Sequence, residues 1–338
     1  MNRKILAVIF ATVALIAVAG IPLALISGTG TDAGTAARTD SQNQLPEEIT
    51  LDFAYYSYLS LVLKDQRFLE DAFKGDGVKI SWVFSPGANA SMQYLQSESI
   101  DIGSGAGVGG LISFINGNPI RAVYAIFKQP SQLLVRPDSG IEDIAGLKGK
   151  TIAVTPTTNP YVFLLRTLET AGLGKDDVTI IPLQHHDGAN ALIQGDVDAW
   201  AGGDPLATKT VLDGNATVLL SSMDLTTPNL LYVRDEFYKK YPKAVLRVVS
   251  AYEKARQWAK DHPDEFLDLV VRETRISSDV GRRILENCYI ESGEMTDSQM
   301  NSMYITESAL KQSGIVKQDL DVRKKIEEFI DRSLYSKL

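Results

Sequence analysis

Ile100-Asp-Ile-Gly-Ser-Gly-Ala-Gly-Val-Gly-Gly-Leu-Ile-Ser-Phe-Ile-Asn-Gly-Asn-Pro-Ile120 is the stretch on which the fold of this chain turns. The apolar residues of Ile100 to Ile102 predict a short strand, and the glycines after them a turn. Leu111 to Ile115 predicts a helix that stops at Asn116-Gly117-Asn118-Pro119. Strand, glycine turn and helix start would leave backbone N–H groups unpaired and pointing outward, which suits a small anion or polar ligand. Glycine-rich turns also arise from packing alone, and the stretch by itself does not choose between the two.

The same order recurs on either side. Ile49 to Phe53 reads as a strand and runs into Ala54-Tyr55-Tyr56-Ser57-Tyr58, a loop of tyrosines and hydroxyls that suggests a ligand wall. Val78 to Phe84 alternates as a strand and is followed by Ser85-Pro86-Gly87-Ala88-Asn89 and a helix carrying Met92, Tyr94 and Leu95. Arg121 to Phe127 is a further strand. Such alternation predicts an α/β fold with a largely parallel sheet, whose ligands sit beyond the carboxyl ends of the strands. Three strand ends, at Tyr55 to Ser57, Ser85 to Asn89 and Ser104 to Val108, would share one rim.

Beyond Leu133 to Val135 the pattern starts again. Strand Thr151 to Val154 runs into Thr155-Pro156-Thr157-Thr158-Asn159-Pro160, then a helix over Val162 to Ala171. Thr157, Thr158 or Asn159 can cap it, with Pro160 in its first turn. Val178 to Leu183 is another strand, with Asp187 as the cap of Gly188 to Gln194. Gln184-His185-His186-Asp187 is not expected to bind metal: adjacent histidines on an extended segment point apart, and no third ligand has suitable spacing. In Val197-Asp198-Ala199-Trp200-Ala201-Gly202-Gly203-Asp204-Pro205, Trp200 fits either core or cleft. Asp204 fits either a helix cap or a contact for a ligand amine. Val218 to Ser221 and Asn229 to Val233 read as strands that cross back, and the chain is helical from Asp235.

The 338 residues carry 44% hydrophobic side chains and a formal net charge of -8, enough for two ordinary domains and no footprint for nucleic acid. The single cysteine, Cys288, excludes an intrachain disulfide and a cysteine-based zinc site. No nucleophile-and-base pattern, phosphate loop or dinucleotide fingerprint is present, so neither catalysis nor a cofactor is expected. Arg3 and Lys4 precede an apolar run from Ile5 to Ile26, a targeting segment kept out of the fold. Ala17-Val18-Ala19 fits a cleavage site, whereas continuation to Ile26 reaches membrane-spanning length and favours an uncleaved anchor. Residues 27–48, rich in Gly, Thr and Ala, read as a flexible spacer. Either outcome places the body outside the cytoplasm.

Several stretches, in order, resemble the solute-binding proteins of ABC importers that take up aliphatic sulfonates, taurine and nitrate. Ser99-Ile100-Asp101-Ile102-Gly103-Ser104 is similar to the family's SIDxGS segment, and Ile144-Ala145-Gly146-Leu147-Lys148-Gly149-Lys150 to its DLKGK entry into the second lobe. Leu164-Leu165-Arg166 with Ala171-Gly172-Leu173 resembles its helix, and Val197 to Ala201 with Asp204-Pro205 its VDAWAxWDP stretch. The likeness runs from about Ile49 to Pro263. It implies an α/β fold of two Rossmann-like lobes joined by two crossover strands, the periplasmic binding protein-like II architecture, with additional C-terminal helices. Lobe 1 would comprise 49–130 and 229–338, and lobe 2 131–228.

The resemblance also implies a monomer without enzymatic activity that captures a small solute and delivers it to an ABC permease and its ATPase subunit. Ligand contacts are then expected from Tyr55, Tyr56, Ser57, Ser85, Gly87, Ser104, Gly105, Thr157, Thr158, Asn159, Trp200 and Asp204. Departures from the pattern are Gly203 in place of a second tryptophan, Thr157 to Pro160 at the helix start, and Ala106-Gly107-Val108-Gly109 after the serine. Two rivals keep the same cleft: an enzyme of the thiamine-pyrimidine synthase or menaquinone-pathway dehydratase kind, and a membrane-anchored sensor that feeds no permease.

Overall fold

The computed structural model describes residues 44–338. The expected targeting segment, and residues 27–43 of the expected spacer, lie outside the described residues. Among those described, no helix is long and apolar enough to cross a membrane.

In chain order the elements begin β1 (Glu48–Phe53), α1 (Tyr58–Asp65), α2 (Phe68–Ala72), β2 (Lys79–Phe84), α3 (Ala88–Gln96), β3 (Ile102–Ala106), α4 (Gly107–Ile115) and β4 (Ile120–Phe127). A second unit holds β5 (Ser131–Val135), β6 (Thr151–Val154), α5 (Asn159–Thr170), β7 (Thr179–Pro182), α6 (His185–Gln194), β8 (Ala199–Gly202), α7 (Leu206–Leu212) and β9 (Thr217–Ser222). The chain then returns through β10 (Asn229–Arg234) to α8 (Asp235–Lys240), α9 (Pro242–Asp261), α10 (Pro263–Thr274), α11 (Ser278–Glu286), α12 (Asp297–Tyr304), α13 (Glu307–Gln312) and α14 (Val322–Phe329).

Two five-stranded sheets result, ordered β2-β1-β3-β10-β4 and β7-β6-β8-β5-β9. The two-lobed α/β architecture expected from the sequence is what forms. In each sheet four strands run one way, as expected of a largely parallel sheet, and one runs against them, which makes the sheet mixed for a topological reason. β10 runs antiparallel to β3 and β4, and β5 antiparallel to β8 and β9. Each of these strands enters from the other lobe. It therefore starts at the edge where its neighbours end. Asn229 pairs with both Ala106 and Phe127, and Gln132 pairs with Gly202. The C-terminal ends of β1 to β4 and of β6 to β8 consequently face each other across the crossing segments 128–130 and 223–228.

Helices cover both faces of each sheet. α1 and α9 bury Leu59, Leu63, Val245 and Val249 with Leu51 and Ile126 on one face of the first sheet. On its other face, α4 and the C-terminal helices pack Leu111, Met303, Ile326 and Phe329 against Leu230 and Tyr232. The helical tail is thus part of the first lobe's core, where burial of each such side chain contributes about 1.5–3 kcal/mol.

Between Ile102 and Leu111 the glycines form no turn. Gly103 and Gly105 lie inside β3, Gly107 to Gly110 open α4, and none of them has a positive φ. Their role is close approach. A Cβ at Gly105 would come 2.9 Å from the Ala88 Cβ, and one at Gly109 2.8 Å from the Thr157 carbonyl oxygen. A Cβ at Gly110 would fall in the Tyr232 ring. That ring is itself fixed, its hydroxyl donating to the carbonyls of Gly105 (2.9 Å) and Ala106 (2.6 Å).

Candidate functional site

Crossing strands bring the loop ends of both lobes to one edge, and that edge collects buried polar atoms without partners. From the first lobe come Asp52 Oδ1, Ser57 Oγ, the Tyr58 hydroxyl and Ser85 Oγ. From the second come His185 Nδ1 and Asp204 Oδ2. A buried polar atom left unpaired costs about 1–3 kcal/mol; others lie away from this edge, at Glu70, Asn118 and Thr167, so it is their place at the strand ends that makes these six candidates for a partner outside the chain.

Asp52 anchors the first-lobe side. It points away from the core face that Leu51 fills, is 1% exposed, and accepts from Ser104 Oγ at 3.3 Å. Burial pushes its carboxyl up to about 6, although the hydroxyls of Ser91, Ser85 and Ser104 and the Ser104 N–H pull it back. Ser91 Oγ also accepts from Ser104 N at 3.1 Å, which ties α3 to β3 beneath the carboxylate. The Tyr56 hydroxyl donates to the Ser104 carbonyl at 3.1 Å, so the loop after β1 folds over the end of β3. Tyr55 stands exposed at the rim with its ring 4.8 Å from that of Phe84.

On the second-lobe side, Asp204 is buried. Its Oδ1 accepts from Thr208 N (3.0 Å) and from Gln132 Nε2 (3.3 Å), while Oδ2 has no partner. Both sequence readings of Asp204 therefore hold: one oxygen serves the first turn of α7, and the other is left over. Burial raises its carboxyl above the ordinary aspartate value. Burial first, and then the charge of Asp204, hold the Tyr58 phenol of the first lobe well above its usual range, so the two residues lie close enough to sense each other.

Other expected contacts have different duties. The N–H of Gly107 donates to the Pro228 carbonyl at 2.8 Å and that of Val108 to Thr227 Oγ1 at 3.1 Å. The start of α4 is therefore filled by the second crossing segment, and the outward-pointing N–H groups expected of a glycine cradle are spoken for at these two positions. Asn159 Nδ2 donates to the Thr227 carbonyl at 2.8 Å, and Thr227 Oγ1 donates back to Asn159 Oδ1 at 2.5 Å. Thr158 is the N-cap residue of α5, and its hydroxyl donates to the Thr155 carbonyl at 2.7 Å. Thr157 is exposed with φ 60° and turns its hydroxyl to the Pro156 carbonyl. Of the three, only Asn159 reaches a crossing segment by hydrogen bond, while the hydroxyls of Thr157 and Thr158 bond within their own loop. Trp200 lies wholly inside the second lobe with Leu134, Ala153 and Leu192. Gly87 precedes α3 as its N-cap, and Gly105 lies under that helix.

Asp187 is not the cap of its helix, and the histidine pair is not extended. α6 begins at His185 with Gln184 as N-cap, which places both histidines in its first turn. Burial, with a smaller contribution from His186, pushes His185 down to about 4, a neutral ring with one nitrogen unpartnered. No group of three potential metal ligands occurs among the described residues. Cys288 is pushed up to about 12 by burial, with the charge of Asp204 adding to the effect, which leaves a protonated thiol beside the cleft.

The family model described as NMT1/THI5 like matches residues 71–266, more than half of the chain. The chain belongs to the NMT1/THI5-like family. A Bacillus subtilis member named for binding aliphatic sulfonates is 28% identical over 280 residues, covering 81% of this chain and 84% of that protein. An Escherichia coli protein of the same name is 27% identical over 232 residues, covering 67% and 72% respectively. The alkanesulfonate-binding protein SsuA from Xanthomonas axonopodis pv. citri, solved bound to MOPS, superimposes with a TM-score of 0.76 at 22% identity, covering 85% of this chain and 99% of its own. For this NMT1/THI5-like protein the last comparison speaks to the fold, the periplasmic binding protein-like II architecture.

Asp52 and His185 were not among the residues expected at the site, and Tyr58 stood in the tyrosine loop expected as a ligand wall but not among the expected contacts. Asp52 had a signal in the sequence: it is the one charged residue inside Ile49-Thr-Leu-Asp-Phe53, on the face opposite Leu51. Tyr58 begins α1 rather than ending the loop, its ring is buried, and its hydroxyl ends without a partner.

Proposed function

We propose that this NMT1/THI5-like protein is the extracytoplasmic solute-binding component of an importer. It captures a small solute, of the sulfonate, taurine, nitrate or small organic acid kind, between its lobes and hands it to a membrane permease driven by an ATPase. The reading divides the body into lobe 1 (49–130 and 229–338) and lobe 2 (131–228), hinged at the crossing segments. It places the solute against Tyr55, Tyr56, Ser57, Ser85, Ser104 and Asp204, with Asp52 and Tyr58 added. Gly87 and Gly105 shape the first-lobe wall by letting α3 approach β3. The N-terminal apolar segment serves as signal or anchor, and the body acts as a monomer without turnover.

One observation carries the proposal: strand ends and helix starts of both lobes meet at the edge where the strands cross, and several of their buried polar atoms have no partner in the chain. The kinship with proteins named for sulfonate binding supports the ligand class. Thermal unfolding of the full-length chain in detergent, with sulfonates, taurine, nitrate and small carboxylic acids, tests it. A ligand present at about 100 times its Kd stabilises by about 2.7 kcal/mol and raises Tm, and it should be recovered chemically unchanged. No shift with any compound refutes solute capture, and conversion of a compound would make the protein an enzyme.

A further inference from the structure

Helix α5 of the second lobe has two working faces. Phe163, Leu164 and Leu168 pack into that lobe's own core with Leu133, Ile152 and Val154. Val162, Leu165 and Glu169, at i, i+3 and i+7, form a separate stripe along one side of the helix. Val162 is fully buried, and the core it joins is the other lobe's, in one cluster with Leu111, Met303 and Leu310.

The rest of the stripe meets the C-terminal tail. Leu165 is buried and, with Glu169 and Leu173, lines one wall of a cavity of about 130 Å³. The opposite wall is Ala309, Gln312 and Ser313, from α13 and the residue after it. Ser308 Oγ of α13 donates to Glu169 Oε1 at 3.0 Å and accepts from Gln312 Nε2 at 2.9 Å. At the other end of the seam, the start of α4 comes against the loop before α5, where a Cβ on Gly109 would lie 2.8 Å from the Thr157 carbonyl oxygen. The lobes therefore touch along α5 from its first turn to its last, outside the crossing segments 128–130 and 223–228.

Two crossing segments alone would leave the lobes free to rotate about them. With this seam in place, rotation must draw α5 off α13 and carry Val162 out of the first lobe's cluster. Apolar surface then returns to water, a cost that exists with no solute present. We propose that the C-terminal tail is a strap: α13 grips α5 and holds the two lobes in the arrangement seen here before any solute arrives. The strap sets the share of molecules whose cleft walls stand together, and the apparent affinity for a solute scales with that share. It goes beyond solute capture and concerns the ligand-free chain.

Distances between two spin labels, one on each lobe of the ligand-free full-length chain in detergent, provide the test. The labels go on Lys74→Cys and Glu142→Cys, both at exposed positions, in a Cys288→Ser background shared by every variant. The strapped parent should give one narrow distance. Ser308→Glu sets a second carboxylate against Glu169 and should lower the ratio of held to released arrangement by about twofold to fivefold. Leu165→Ala removes the apolar side chain that faces α13 and should lower it by about tenfold or more. Adding Glu169→Lys to Ser308→Glu restores attraction across the seam and should return the distribution to the parent's. Ser308 is exposed, so its variants keep the fold even where Leu165→Ala does not. An unchanged distribution in both Ser308→Glu and Leu165→Ala overturns the proposal. So does a parent that already divides equally between two distances, or a shift in Ser308→Glu that Glu169→Lys fails to undo. Because the readout needs no solute, loss of the strap leaves solute capture standing, and absence of any solute-induced rise in Tm leaves the strap standing.

Discussion

Replacing Asp52 with Asn isolates what a carboxylate at the cleft does to the folded state. Burial lifts its carboxyl from 3.8 to about 6. The folded protein therefore keeps this proton up to about pH 6, whereas the unfolded chain releases it near pH 3.8. Between those values the folded state binds more protons, so stability falls as pH rises through the window and the loss is complete above it. At about 1.4 kcal/mol per pH unit, the gap makes about 3 kcal/mol. Asp52→Asn carries no such charge, and other groups that titrate at a distance cancel in the difference between the two proteins. Urea unfolding of both, followed by tryptophan fluorescence, should show the variant gaining on the parent by about 2.5 kcal/mol between about pH 4 and about pH 7.5. Any constant offset from the amide drops out, because only the slope is read. A difference that stays flat across the window, or a variant that loses ground as pH rises, would refute a desolvated carboxyl at Asp52. With it would go the idea that the empty cleft gives up stability which a ligand restores.

Five further substitutions are set by close packing and by hydrogen bonds. Gly110→Ala drives a methyl into the Tyr232 ring, which cannot retreat while its hydroxyl holds β3, so a loss of about 2 kcal/mol or more is expected in thermal unfolding. Gly146→Ala, whose Cβ meets nothing nearer than 3.5 Å, is the control and should be close to neutral. Ser104→Ala removes the donor to Asp52 Oδ2 and should weaken ligand binding several-fold, a loss of about 1 kcal/mol, with the fold intact by circular dichroism. Gly105→Val, by contrast, meets Ala88 at 2.9 Å and should lower Tm as well as binding. Asn159→Ala strips Thr227 of its partners across the hinge and should cost about 1–2 kcal/mol, with faster amide exchange at 226–229 as the local signature.

The sequence was most readable where its signals were local. Strand Ile49 to Phe53, a helix start among Thr157, Thr158 and Asn159 before Pro160, and the helical tail from Asp235 follow from periodicity and capping, because near neighbours along the chain settle them. The glycine stretch misled for a physical reason. Glycine permits a turn, yet it equally permits a strand and a helix to be approached closely, and only the approaching group shows which applies. Here those groups are Ala88, Thr157 and Tyr232, which come from three other elements. The histidine pair misled in the same way, because its place in the first turn of α6 depends on where β7 ends rather than on the two residues themselves.

By itself the sequence determined the class of fold, the kinship with solute-binding proteins and the strand ends from which a site would be built. All of these are carried by short-range pattern and by motifs in order. Tertiary structure alone decided which residues at those strand ends remain available to a ligand. Thr227 lies 119 positions from Val108, yet it fills the start of α4, and Asp52 lies 52 positions from Ser104, yet it takes that hydroxyl. Availability is what remains after every such long-range partner has been supplied. At this cleft the remainder is two carboxylate oxygens, two serine hydroxyls, a phenol and one imidazole nitrogen.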